Sequence, residues 1–275
     1  MYSTITNFAK DKKTIKKYIP IDSIFRNDPE TTLSTYFNYQ LKQPLTNVVS
    51  MNIQSIEIPN NTIYPVSEHN GSNFFFIELS GNNYKIIIDS GFYNEASITE
   101  NIQNCLHSVS DLSSISFSID PLTRKSIFST NSPDISFSFS FCSLTDDVTD
   151  LKKYDQTLGG FLGFRTNENY ILSSALKIIS ESPFGIDLHK YIFLSINDFT
   201  TSIRMNETIC EYTSENIIAR IPLDNKEKTV YITRNYYGRG ERIETLQISL
   251  IDKHCNIIDL NSCDFSFVLE ITIEE

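Results

Sequence analysis

From Ile135 to Cys142 the chain alternates without a break: Ile135, Phe137, Phe139 and Phe141 are large and apolar, while Ser136, Ser138, Ser140 and Cys142 are small. Successive side chains of an extended strand point to opposite faces, so this octet gathers its four large groups on one side only as a strand. The closing segment repeats the pattern at greater length. Phe265, Phe267, Leu269, Ile271 and Ile273 share one face, and Ser266, Glu270, Thr272 and Glu274 are expected to face outward. Leu246, Ile248 and Leu250 mark another strand. Ile192, Leu194 and Ile196, with Tyr191 and Phe193 on the opposite face, describe a strand buried on both sides. Composition carries the same bias, with 38 Ile against 4 Ala. Ile is stiff at Cβ and suits a pleated surface, whereas Ala is the best helix former.

Turn chemistry divides the remainder into short strands. Val49, Met51 and Ile53 share a face, and then the apolar phase slips to Ile56 and Ile58. A one-residue slip in a period of two predicts a β-bulge near Gln54 and Ser55, or a crossing between sheets. Residues 73–79 and 84–89 form a predicted hairpin across Ser80-Gly81-Asn82-Asn83. One helix is expected at about 97–109: Ser97 and Glu100 have capping-box spacing, and Ile98, Ile102, Leu106 and Val109 follow at helical intervals. Gly159, Gly160 and Gly163 predict a tight turn before Phe164, and 146–155 reads as a charged loop. Many short strands, one helix and no βαβ alternation predict an all-β jelly-roll β-sandwich. It occupies residues 31–275, with a loop insertion near 144–190, behind an N-terminal arm at 1–30.

The arm carries Lys10, Lys12, Lys13, Lys16 and Lys17, followed by Ile19, Ile21 and Phe25. It reads as a solvated tail end, or as an extended arm that docks on a neighbouring subunit through those apolar residues, and in either case adds little to the stability of the domain itself. Elsewhere the chain is acidic, with 34 Asp and Glu against 23 Lys and Arg and a net charge of −11. Wrapping of nucleic acid by the whole surface is not expected, because phosphate binding needs the opposite sign. No apolar run approaches a membrane span, and residues 1–20 lack the apolar core of a secretory signal. Cys105, Cys142, Cys210, Cys255 and Cys263 show no CxxC spacing and read as reduced, mostly buried thiols. The N-x-S/T sequons at Asn60, Asn70 and Asn206 read as chance matches.

Catalytic signatures are missing from the sequence. There is no H-E-x-x-H, G-x-S-x-G or P-loop, and His69, His107, His189 and His254 lack metal-ligand spacing. Asp146-Asp147 has no EF-hand spacing around it. No catalytic residue, cofactor or metal is expected. The segment Arg234 to Arg242 interleaves Tyr236, Tyr237, Arg239 and Arg242 with Gly238 and Gly240. Tyr and Arg either stack on bases or anchor protein contacts, and on a chain of this charge the protein contact is favoured.

Three stretches together carry a likeness. Ile21-Asp22-Ser23-Ile24-Phe25-Arg26 leads into Ser34-Thr35-Tyr36-Phe37-Asn38-Tyr39-Gln40-Leu41 and Ser55-Ile56-Glu57-Ile58-Pro59-Asn60. Leu158-Gly159-Gly160-Phe161-Leu162-Gly163-Phe164-Arg165 lies mid-chain, and Ile258-Asp259-Leu260-Asn261 and Asp264-Phe265-Ser266-Phe267-Val268-Leu269-Glu270 lie near the end. Their order resembles the minor capsid and penton-type proteins of nucleocytoplasmic large DNA viruses, mimivirus-like giants in particular. The family carries an unbroken aromatic-glycine-proline turn where this chain has Tyr237-Gly238-Arg239-Gly240.

The resemblance implies a non-enzymatic subunit of an icosahedral virion, assembled in the host cytoplasm. Its implied partners are other capsid proteins, including the major capsid protein, and further copies of itself, as a pentamer if it sits at the vertices. The arm leaves room for contact with an inner membrane. Ile19, Ile21, Phe25, Tyr236, Tyr237, Arg239 and Arg242 are the expected interface residues. The alternative is a lectin-like attachment module using loop aromatics such as Tyr64, Tyr93 and Tyr170. The inward face of the closing strand has a direct test. Phe267→Asp places an unpaired carboxylate in the sandwich and is expected to abolish soluble expression; a soluble, cooperatively melting variant would show that Phe267 faces out.

Overall fold

In the computed structural model, residues 13–132, 134–142, 154–166, 168–172, 176–185, 190–200, 204–205, 216–223, 227–236 and 240–275 are described. The elements begin with β1 (Thr14–Asp22), β2 (Tyr36–Glu57), β3 (Phe74–Leu79), β4 (Asn82–Ile87) and α1 (Glu95–Ser108). Next come β5 (Ile115–Ile119), β6 (Lys125–Thr130), β7 (Phe137–Ser140), α2 (Leu158–Leu162), β8 (Tyr170–Leu172) and β9 (Lys177–Pro183). The chain closes with β10 (Tyr191–Asn197), β11 (Arg204–Met205), β12 (Ile217–Pro222), β13 (Val230–Tyr231), β14 (Arg234–Tyr236), β15 (Glu241–Ile251) and β16 (Ser266–Glu274). The fold is all-β, of the jelly-roll sandwich class that the alternation predicts. The sequence reading treats 31–275 as one domain with an insertion near 144–190. In the structure two compact units emerge, Met1–Ile63 with Lys190–Glu275, and Tyr64–His189 between those two pieces.

The first unit is organised by β2. Its strands run in the order β1-β16-β2-β15-β10-β12-β13, with β14 also on β2 and β11 on β14. Residues 36–48 of β2 pair with β15, and residues 48–57 pair with β16. Both stretches feed one core: Phe37, Leu41 and Leu45 come from the first, Met51 and Ile53 from the second. The sheet therefore curls about the middle of β2. Asn47 has φ +58° there. Gly240 lies against it, where an added Cβ would stand 2.7 Å from the Asn47 Cα.

The predicted bulge is present. Val268 faces Ser55 while Leu269 faces Ile53, leaving Gln54 as the extra residue. A second shift, between Thr272↔Ser50 and Ile273↔Val48, skips Val49. Val48 rather than Val49 thus joins Met51 and Ile53 in the core.

Two expectations about the ends of the chain change. Residues 14–22 of the expected arm are an edge strand, paired with β16 from Thr14↔Glu274 to Asp22↔Ser266. Nine residues with alternating apolar groups extend a sheet that already exists, which orders them without a partner. Lys13 O accepts from Glu275 N, and Ser23 N donates to Phe265 O. In an antiparallel ladder the odd-numbered residues between them therefore bond to β16, and Pro20 turns its missing N–H to the open edge. Glu270, expected outside, is buried. Lys16 Nζ and Gln54 Nε2 each reach its carboxylate at 3.0 Å, so the charge is matched where β1 covers it.

The second unit contains a four-stranded sheet, β4-β3-β7-β8, and a three-stranded one, β5-β6-β9. The hairpin turns on Ser80 and Gly81 alone, since Leu79 pairs with Asn82. Helix α1 starts two residues before the expected position. Asn94 is its N-cap, and Ser97 serves as the third helical residue of the capping box instead of the cap. The glycine run expected to turn tightly forms the short helix α2, closed by Gly163 at φ +93°. Phe137, Phe139 and Phe141 are buried, as their alternation requires. The Phe128 ring lies at the centre of the core, 4.4 to 6.1 Å from the rings of Phe75, Phe117, Phe139 and Phe164. Cys105, Cys142, Cys255 and Cys263 are half-buried rather than buried; Cys210 lies outside the described residues.

Pairing of β1 reverses the expectation for the arm. Deleting residues 1–20 removes most of a nine-residue ladder and uncovers Glu270, so the thermal midpoint should fall by several degrees in calorimetry. An unchanged midpoint would mean that β1 contributes nothing to the folded unit.

Candidate interaction surface

Two polar clusters, one buried and one half-buried, fix the loops of the first unit. The first joins the end of β10 to β14. Asp198 and Arg234 are both 4% exposed, and Arg234 Nη1 donates to Asp198 Oδ2 at 2.7 Å. Tyr236 Oη donates to the same oxygen. Asp198 Oδ1 accepts from Thr200 N at 3.0 Å and Thr200 Oγ1 at 2.8 Å, and Arg234 Nη2 donates to Asn216 O at 3.1 Å. Strands β10 and β14 are not neighbours in the sheet, so the ion pair crosses between them. Burial alone would push the Asp198 carboxyl up; Arg234, Tyr236 and Thr200 together outweigh it and hold the pKa below the usual carboxylate value. Burial beside a carboxylate pushes the Tyr236 phenol well above its ordinary value.

The second cluster closes the end of β1. Arg26 Nη1 donates to Asp264 Oδ1 and to Ser23 O, both at 2.8 Å. Arg26 Nε reaches Thr32 O and Nη2 reaches Pro29 O, each at 3.1 Å. Ser23 Oγ donates to Asp264 Oδ1 at 2.7 Å and accepts from Phe265 N at 3.0 Å. Between Ser23 and Arg26 stands Phe25, 79% exposed, beside Ile24 at 55%. The guanidinium holds three carbonyls and a carboxylate, so the turn that presents Phe25 is fixed by the fold.

The interface residues expected from sequence separate into groups. Ile21 belongs to the unit's own core, and Ile19 packs partly buried against it. The pairing of β1 with β16 turns both inward. Tyr236 is likewise buried, with its hydroxyl spent on Asp198. Phe25 is open to solvent. Arg242 is exposed, with its Nε 2.6 Å from Glu244 Oε1. Tyr237 and Arg239 lie outside the described residues, as do His189, Asp146, Asp147 and Asn206. The aromatics of the lectin alternative are engaged within the chain. Tyr64 meets the Phe92 ring edge-on, Tyr93 Oη donates to Asp89 O, and Tyr170 Oη contacts Glu181. Among the described residues no group of three His, Cys, Asp or Glu side chains is placed to hold a metal ion.

The sequence reading missed Asp198. Its local signal is an Asn197-Asp198 pair at the end of an apolar strand with Thr200 behind it, the composition of an Asx turn. Its partners lie 36 and 38 residues away, and no local pattern reports them.

No family model matches the chain, and neither does any curated protein. Among solved structures, the crystal structure of the SeMet-labelled mavirus penton protein is similar over 94% of this chain and 99% of that one. The TM-score is 0.42 and the identity 10%.

Asp198→Asn keeps the shape but leaves the Arg234 charge buried without its counterion, an expected loss of about 3 kcal/mol in denaturant unfolding at pH 7. The folded-state pKa of Asp198 is depressed, so the stability it contributes is full above the unfolded value near 4. That contribution fades as pH falls through the folded value. The gap between wild type and Asp198→Asn should therefore narrow below about pH 4. A constant gap from pH 7 to pH 3 would show that the carboxylate charge is not what holds Arg234.

Proposed function

We propose that this chain is a structural protein of an icosahedral virion, a minor capsid or penton subunit that acts by packing and not by catalysis. The observation that carries the reading is Phe25. A large apolar ring is 79% exposed on a turn whose Ser23 carbonyl is held by the Arg26 guanidinium, itself paired with Asp264. Exposed aromatics on rigid turns lose little conformational entropy on docking and suit the centre of a protein contact. The ordered sequence likeness to minor capsid and penton-type proteins supports the same reading. Under it, the partners are other capsid proteins, including the major capsid protein, and further copies of the chain in closed symmetry. Phe25 and Arg242 belong to the contact surface, together with Tyr237 and Arg239. The lectin alternative gains no support from the tyrosines named for it, whose rings and hydroxyls are engaged within the chain.

The test is quantitative recovery of the chain from purified particles, wild type beside Phe25→Ser. The wild type is expected at a copy number fixed by shell symmetry. The variant should melt like wild type but be incorporated at least about tenfold less. Recovery at no fixed ratio, or equal incorporation of a folded Phe25→Ser chain, would contradict the proposal.

A further inference from the structure

The sheet of the first unit ends on strands of very different length. At one end stands β13, two residues long, and at the other stands β1, nine residues long. Odd-numbered residues of β1 bond to β16, so the N–H groups of Thr14, Lys16, Tyr18 and Asp22 point to the open edge. The carbonyls of the same residues and of Pro20 point there too. No described strand pairs with them. Folded chains keep such edges short, or set lysine, proline or a bulge in front of them. Here those devices are weak. Lys16 and Lys13 are drawn back over β16, onto Glu270 at 3.0 Å and Glu275 at 2.7 Å. Pro20 removes one donor but keeps its carbonyl, and the register with β16 runs unbroken from Thr14 to Asp22. Along this edge Tyr18 is 57% exposed and Ile15 41%.

The order of residues along β1 selects what can cover it. On this edge even positions must lie opposite even positions, and Tyr18 is the midpoint of Thr14–Asp22. A second β1 laid antiparallel with full overlap therefore brings Tyr18 opposite itself. In that register Thr14 faces Asp22, Lys16 faces Pro20, Lys17 faces Ile19 and Ile15 faces Ile21. No lysine meets lysine, and the Asp22 carboxylate lies diagonal to Lys16 of the second copy, a favourable cross-strand placement. Moving the axis to Lys17 sets that lysine against itself, and moving it to Ile19 leaves Thr14 unpaired. Full overlap also covers both exposed side chains, since Tyr18 pairs ring to ring and Ile15 meets Ile21 on the other face. We infer that β1 pairs antiparallel with β1 of a second copy about a two-fold axis at Tyr18, joining the two sheets into one. The contact is isologous, each copy giving the same edge. The inference rests on the reading of the chain as a packing subunit and names one contact of that subunit.

The experiment is sedimentation velocity of the full chain over a concentration series, with oxidative cross-linking of two cysteine variants beside it. Wild type should dimerise. Tyr18→Pro removes an N–H that β16 does not use, as Pro20 already does, and should fold but dimerise at least about tenfold more weakly. Tyr18→Cys places the two thiols on the axis, with Cα atoms about 5.5 Å apart, inside disulfide range. Thr14→Cys places them roughly 25 Å apart along the paired strands. Over the background of the wild-type cysteines, Tyr18→Cys should therefore cross-link to a dimer and Thr14→Cys should not. This pair decides the matter even if Tyr18→Pro fails to fold. A wild type that stays monomeric, a folded Tyr18→Pro chain that dimerises as wild type does, or equal cross-linking of the two cysteine variants would each overturn the inference. Monomeric wild type recovered from particles at a fixed copy number would overturn this contact and leave the subunit reading intact. A dimer cross-linked through Tyr18→Cys, in a chain absent from particles, would do the reverse.

Discussion

The first unit depends on one strand serving two partners. β2 gives residues 36–48 to β15 and residues 48–57 to β16, so neither pairing forms without bringing the other into place. A straight strand of this length would expose one stretch or the other. The skipped Val49, the bulge at Gln54, the left-handed Asn47 and the close approach of Gly240 bend it, so that Val48, Met51 and Ile53 share a core with Phe37, Leu41 and Leu45. Each irregularity breaks a local rule of strand geometry, and each is compensated by the apolar area that the curl buries. β1 then adds to β16 and covers Glu270, which extends the sheet to its edge.

The second unit reaches the same end by aromatic packing. Four strands and three strands meet over rings that touch Phe128 from several sides, and α1 adds Ile98, Ile102 and Leu106 to that interior, with Cys105 packed against it. Serines alternate with the phenylalanines along β7, which lets large groups fill one face without overcrowding the other. Deleting one such ring would leave a void its rigid neighbours cannot close.

Much of this was legible from residue order alone. The alternation at 135–142 and 265–273 fixed the strand character and inward faces, and the phase slip after Ile53 located a bulge to within a residue. The errors share a cause. Residues 14–22 carry enough lysine to read as a solvated arm, and only the register with β16, some 250 residues away, makes them a strand. Glu270 reads as exposed until Lys16 and Gln54 are placed against it. Among the expected interface residues, Ile21 and Tyr236 have interior partners that sequence spacing could not supply, whereas Phe25 stays exposed. Asp198 was invisible because its chemistry is long-range. A charge matched across the sheet leaves no periodic trace.

What unites these features is rigid presentation. Two acid–arginine pairs, the buried Asp198 with Arg234 and the half-buried Asp264 with Arg26, stand directly beside exposed phenylalanines. Such pairs add little net stability but specify one backbone conformation strongly, because the alternatives strand a charge. Native-state hydrogen exchange of the full chain tests this most directly. The amides of Phe199, Thr200 and Arg26, each bonded within these clusters, should exchange only as slowly as those of the adjoining strands β10 and β1. Exchange at the rate of an open loop, while the strands stay protected, would contradict the account.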